Sequence, residues 1–452
     1  MSDNESVSTV ASSSSSLDQE RRKDGDDNGK YDVITDENIH YLVREWLESP
    51  GYLTFSSRFP KIGHIKDWDV SRVTNMSNLF RNTSPRRSSC THFSCSKYDS
   101  IEDDDNDAKC EYCSFNEDIT EWNTCNVTDM SYMFRQLHSF NQPIGSWDTS
   151  RVQNMEGMFH QASSFNQSIK TWNTSSVRNM SGMFKYALKF NRNLNSWDVS
   201  NVQTMRDMFS HASSFNRALN RWNVSQVTTM YGMFRNAISF NHSLNEWDIS
   251  NVKTMNSMFM DASSFNQPLD EWDVSNVEDM SWMFWATNEN YNVHDEDSYT
   301  SVFNHPLNDW DMSNVNTVRG MFSGAINFNQ PLDRWDTSSI TDMSRMFRHA
   351  HTFNQPLDDW DTCNVTSMER MFSDAISWNQ PIHSWDVSNV CNFKDMFTDT
   401  PSLDPSNIPY RWNCSILSTG MFATPPPTQP LPPPPPNQQK SGNGENDDDN
   451  KS

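Results

Sequence analysis

The chain has 452 residues, 35% of them hydrophobic, and carries 35 Lys and Arg against 59 Asp and Glu, a net charge of −24 at neutral pH. That balance argues against a nucleic-acid partner, whose backbone needs a basic stripe, and favours a thin core over a thick one. The apolar residues are large (27 Phe, 25 Met and 17 Trp), so even a thin core buries much area per side chain.

Residues 1–30 are polar, with a serine run from Ser12 to Ser16 and no apolar stretch of the kind a secretory leader needs. They read as a disordered tail. No later stretch approaches the roughly 18 apolar residues of a membrane helix, so no membrane span is expected and an intracellular location follows from sequence. Residues 31–56 read as a capping region. Within it, Thr35 to Ser49 places Ile39, Leu42, Val43 and Trp46 on one helical face, with Thr35 as the N-cap and Pro50-Gly51 beyond the end.

From residue 57 to 422 the chain repeats. Trp122, Trp147, Trp172, Trp197, Trp222, Trp247 and Trp272 are 25 residues apart, and Trp310, Trp335, Trp360 and Trp385 keep the same step. Trp68 belongs to the series one insertion earlier, which makes twelve coils in register. Each coil repeats an apolar set, illustrated by Leu357, Trp360, Val365, Met368, Met371, Phe372 and Ala375. Asp or Asn follows each Trp, and Asn follows the Phe that closes most coils. Insertions at 81–114 and 285–302 break the period at the same point of the coil, between the Met-Phe pair and the following Phe, which marks a loop face. Trp412 comes 27 residues after Trp385, the irregularity expected of a terminal cap. Residues 423–452 are proline-rich, then acidic, and read as a disordered tail.

Paired helices are disfavoured, because Pro and Asn/Asp/Ser clusters interrupt every coil. The pattern predicts a repeat solenoid, leucine-rich-repeat-like, with a short stacked strand at Val-x-x-Met and a short helical turn at Met-Phe-x-x-Ala. The string FNQPLDEWDVSNVEDMSWMF, Phe265 to Phe284, closely resembles the repeat of BspA-like leucine-rich-repeat surface proteins. That repeat is also catalogued as a mycoplasma lipoprotein-associated domain of unknown function. Trp46 to Phe80 resembles the N-terminal entry of eukaryotic members. The resemblance spans Ile62 to Phe422 outside the insertions. It implies a leucine-rich-repeat-like fold, protein binding or adhesion, a cell-surface location and no catalytic residue to carry over; the expected intracellular location departs from that pattern, since no export signal or anchor is evident in the sequence.

Three constellations could carry chemistry. Cys90, Cys95, Cys110 and Cys113 crowd the first insertion in two close pairs, a spacing that suits tetrahedral zinc, disulfides, or idle thiols in an acidic loop. The Asp/Asn column after Trp could hold calcium or could close each coil with an Asx-turn. The run LPPPPP, Leu431 to Pro436, suits an aromatic-grooved binding domain or serves as a spacer. The histidines recur at no fixed coil position, and no nucleophile–base pattern stands out. The sequence therefore predicts a non-enzymatic scaffold with a protein partner, requiring no cofactor, and a metal-dependent interaction module as the alternative.

Overall fold

The computed structural model describes residues 32–49, 51–80, 115–287, 301–409 and 412. Both tails, residues 288–300 and the segment that holds Cys90, Cys95, Cys110 and Cys113 lie outside them. Helices α1 (Ile39–Glu48) and α2 (Tyr52–Arg58) open the chain. Helix α1 buries Ile39, Leu42 and Val43, the face that the sequence places inward. It starts later than the expected N-cap at Thr35, because Thr35 and Asn38 bond each other in a turn and Asp36 is engaged elsewhere. Phe55 of α2 and Trp46 of α1 pack on Trp68, with ring centroids 5.9 and 6.2 Å away, so the two helices cover the first coil.

Twelve 25-residue coils follow, each laid on the next in parallel. Eleven single-residue bridges link them, from Asn75–Asp129 to Ser367–Asn392. The bridging residue lies between the Val and the Met of the expected strand. Among the described residues the pairing never widens beyond it, because the backbone turns away on both sides.

The segment expected to be a helical turn is a series of tight turns instead. Backbone N–H groups alternate in direction there. In the Trp122 coil, those of Met130, Tyr132, Phe134 and Gln136 donate to the next coil, at Asn154, Glu156, Met158 and His160. Those of Met133, Arg135 and Leu137 turn inward to the carbonyl three residues back. A helix would need every N–H for itself. Here every second one holds a neighbour, and the backbone meets the alternation by adopting positive φ at the tenth and fourteenth residues after Trp. These are Tyr132 (56°) and Gln136 (65°) in the Trp122 coil, and Asp207 (54°) and His211 (57°) in the Trp197 coil.

The core is a set of side-chain columns. The twelve Trp residues from Trp68 to Trp385 are all at most 4% exposed. Trp222 lies parallel to Trp247, with centroids 6.3 Å apart and planes within 4°. The Phe columns stack both within a coil (Phe209–Phe215, 4.0 Å) and between coils (Phe209–Phe234, 5.7 Å). Parallel rings at these separations are offset, the arrangement that aromatic quadrupoles favour.

Candidate functional site: the turn face

The repeating polar residues are engaged within the stack. Each indole N–H from Trp122 to Trp385 donates to the carbonyl three residues before the preceding Trp, at 2.8–3.1 Å; Trp222 reaches Leu194 in this way. The Asn after the closing Phe accepts the N–H of its counterpart one coil on. These bonds form an eleven-step ladder from Asn116 to Asp404, at 2.8–3.2 Å. The Asp or Asn after Trp accepts the N–H two residues on in all twelve coils, at 2.9–3.2 Å. That is the Asx-turn. At Asp69, Asp148, Asp198 and Asp311 the hydroxyl and backbone N–H of the Ser two residues on hold the carboxyl below its ordinary value. Of the two readings of this column, the turn is the one with bonds on every coil. Among the described residues, no group of three or more His, Cys, Asp or Glu side chains is placed to hold a metal.

What remains is the face formed by the ninth, tenth, thirteenth and fourteenth residues after each Trp, where the coils differ from one another. In the first half it carries Tyr132, Arg135, His160, Lys185, Tyr186, Arg206, His211, Tyr231 and Arg235. Tyr186 stacks on His211 at 4.1 Å, and Arg206 lies 4.3 Å over the Tyr231 ring. Burial, then the charges of Arg135 and Lys185, push His160 down to about 3; burial, Arg235 and Lys185 do the same to His211. Both imidazoles are therefore neutral at physiological pH. In the second half, Trp282 and Trp285 meet at 5.1 Å, and His349 lies 3.6 Å from Asp374.

Both breaks in the period fall beside this face. The first falls between Phe80 and Phe115, and those rings stack at 4.3 Å. Phe284 and Phe303 close the second at 4.1 Å. Uninterrupted coils have the same clasp (Phe134–Phe140, 4.1 Å), so the ring contact is kept where the period is broken.

The family model described as Mycoplasma protein of unknown function, DUF285, matches residues 54–103, 105–222, 189–296 and 296–412. The chain belongs to this family. Its DUF285 repeats run in tandem through the coils. A search of curated proteins finds no match. No helix among the described residues is long and apolar enough to cross a membrane.

Sequence reasoning passed over the turn-face residues. His160, His211 and His349 look scattered in the linear chain, yet all fall on two adjacent columns of one face. The available signal was departure from the repeat consensus at fixed offsets from Trp. The zinc candidates Cys90, Cys95, Cys110 and Cys113 lie outside the described residues. Cys125 and Cys363 occupy the Ser position of the Asx-turn, with backbone N–H bonds to Asn123 and Asp361.

Proposed function

We propose that the chain is a non-enzymatic scaffold, a leucine-rich-repeat-like solenoid of the BspA type, that binds a protein partner through its turn face. One observation carries the reading. The recurrent polar columns hydrogen-bond within and between coils, whereas the turn face presents a different set of aromatic and charged groups on each coil. Side chains that neither the core nor the ladders require are free to be specified by a ligand. Repeat stacks present long surfaces of this kind, and per-repeat insertions map to one face, often the binding face. Adhesion is the same chemistry at a cell surface.

The test is cross-linking capture with the tagged full chain beside a Tyr186→Ala/His211→Ala variant of unchanged circular dichroism. Loss of captured partner in the variant is the expected outcome. Equal capture by both chains would move the interaction off this face.

A further inference from the structure

The two halves of the stack differ in charge. Residues 115–239 hold 11 Lys and Arg against 8 Asp and Glu, net +3. Residues 240–287 and 301–409 hold 7 against 22, net −15. The turn face shows the same division at the level of ion pairs. In the later coils each of three guanidinium groups meets a carboxylate of the next coil: Arg319–Asp342 at 3.5 Å, Arg345–Glu369 at 2.9 Å and Arg370–Asp395 at 3.1 Å.

The earlier coils have fewer such pairs, although an Nε without an acceptor also occurs at Arg345 in the later ones. Among the described residues, Arg135 and Arg235 have no carboxylate within ion-pair distance, and the Nε of each is buried without an acceptor. Lys185 and Arg206 share one carboxylate, Asp207, at 3.1 and 3.8 Å. The other acid on this stretch, Glu156, accepts from the Tyr132 hydroxyl and from Asn179. Beside them on this stretch Tyr186 stacks on His211, and at the edge of the face, three residues beyond Lys185 and Arg235 in the chain, Leu188 and Ile238 are exposed aliphatic side chains, each 42% accessible. Both imidazoles are neutral, so they add flat polar surface without adding charge.

We propose that the turn face of the coils from Trp122 to Trp222 docks an extended acidic segment of a protein partner. Its carboxylates lie against Arg135, Lys185 and Arg235, and its apolar side chains lie against Leu188 and Ile238. This deepens the binding reading above and rests on it. The three cations recur every second coil, about 10 Å at β-like spacing, which is the rise of about three residues of extended chain. A nucleic acid fits less well. Glu156 and Asp207 lie on the same face, the later coils would repel a long polyanion, and Leu188 and Ile238 offer nothing to a phosphate backbone.

The experiment uses the full chain and a fluorescein-labelled peptide of four Glu-Ser-Leu triplets, read by fluorescence anisotropy at 50 mM and 200 mM salt. Controls are the same peptide with Gln for Glu and a single-stranded oligonucleotide of equal charge. The Glu peptide is expected to bind at least tenfold tighter than the Gln peptide, and more weakly at the higher salt. An Arg135→Gln/Arg235→Gln variant, which keeps most of each stem, should lose at least tenfold. Arg334→Ala, on an exposed side chain away from this face, should change affinity less than twofold. Absence of saturable Glu-peptide binding at 50 mM salt, equal binding by the double variant, or preference for the oligonucleotide overturns the proposal. If the Tyr186→Ala/His211→Ala variant still loses its captured partner while the Glu peptide fails, the scaffold reading stands and the acidic ligand falls.

Discussion

Trp222 does two jobs at once. Its ring fills the column, parallel to Trp247, and its indole N–H satisfies the buried carbonyl of Leu194. Trp222→Ala should therefore cost roughly 3–5 kcal/mol in denaturant unfolding. Trp222→Phe keeps most of the area but leaves the Leu194 carbonyl with the Trp197 N–H alone, a loss of about 0.5–1.5 kcal/mol for one hydrogen bond. Arg221→Ala, exposed beside it, should stay within about 0.5 kcal/mol. The inward face of Trp was legible from Val, Met and Phe recurring in step with it. The indole bond was not, because its acceptor is 28 residues away and only coil-on-coil stacking brings the two together. The positive-φ columns were equally hidden. Only some coils use Gly there, so the linear chain shows no fixed Gly. The Gly residues that do occur differ in what lies over them. A Cβ on Gly182 meets nothing closer than 3.9 Å, whereas one on Gly157 would lie 2.3 Å from the Tyr132 ring. Gly182→Ala should cost only the backbone penalty, about 1 kcal/mol. Gly157→Ala should cost more, and most of the excess should vanish in a Tyr132→Ala background, a coupling that a double-mutant cycle reads directly.

Helix α1 illustrates how an element can be read correctly and its ends misread. Its buried face follows from periodicity alone. Its start does not, because Asp36 serves the first coil instead of the helix. The carboxylate accepts from the N–H and hydroxyl of Thr74 and from the N–H of Asn75, at 2.6–2.9 Å. It stands where the carbonyl of Thr74 stands for the following coil, accepting from Thr128. Burial raises the Asp36 pKa, but the bonds from Thr74 and Asn75 outweigh it, and the group lies below the ordinary value. A carboxylate depressed in the folded state stabilises above its unfolded pKa, and that contribution is lost as pH falls through the folded value. Asp36→Asn should thus lower stability at about pH 6 and narrow the gap in unfolding midpoint between about pH 6 and about pH 3. The asparagine ladder is the comparable device between coils. Asn241→Ala would take from the exposed Asn266 N–H its protein acceptor and should cost about 0.5–1.5 kcal/mol, with proteolysis starting near that coil. The expected strand and helical turn shared one cause of error. Propensity describes a chain bonded to itself, whereas here each segment divides its bonds between itself and the next coil.

The stack as a whole behaves as a sum of coils and their interfaces. Removing Trp197 to Arg221 takes out one full period, and circular dichroism should report a folded chain one coil shorter. Removing half a coil shifts every column out of register and should unfold a large part of it. The repeat and its insertions were legible at this scale because they are written in the Trp spacing. The division into a basic and an acidic half was not, because net charge averages over it. The bonds between coils run both ways along the stack. In the Trp197 coil the N–H groups of Met205, Asp207, Phe209 and His211 donate to the later coil, and those of Gln203, Ser214, Asn216 and Arg221 donate to the earlier one. Peptide dipoles opposed within a coil cancel along the axis, as they do in a sheet. The field that a ligand meets on moving along the stack is therefore written by the side chains, basic coils first and acidic coils after, and the main chain holds the rows without tilting it.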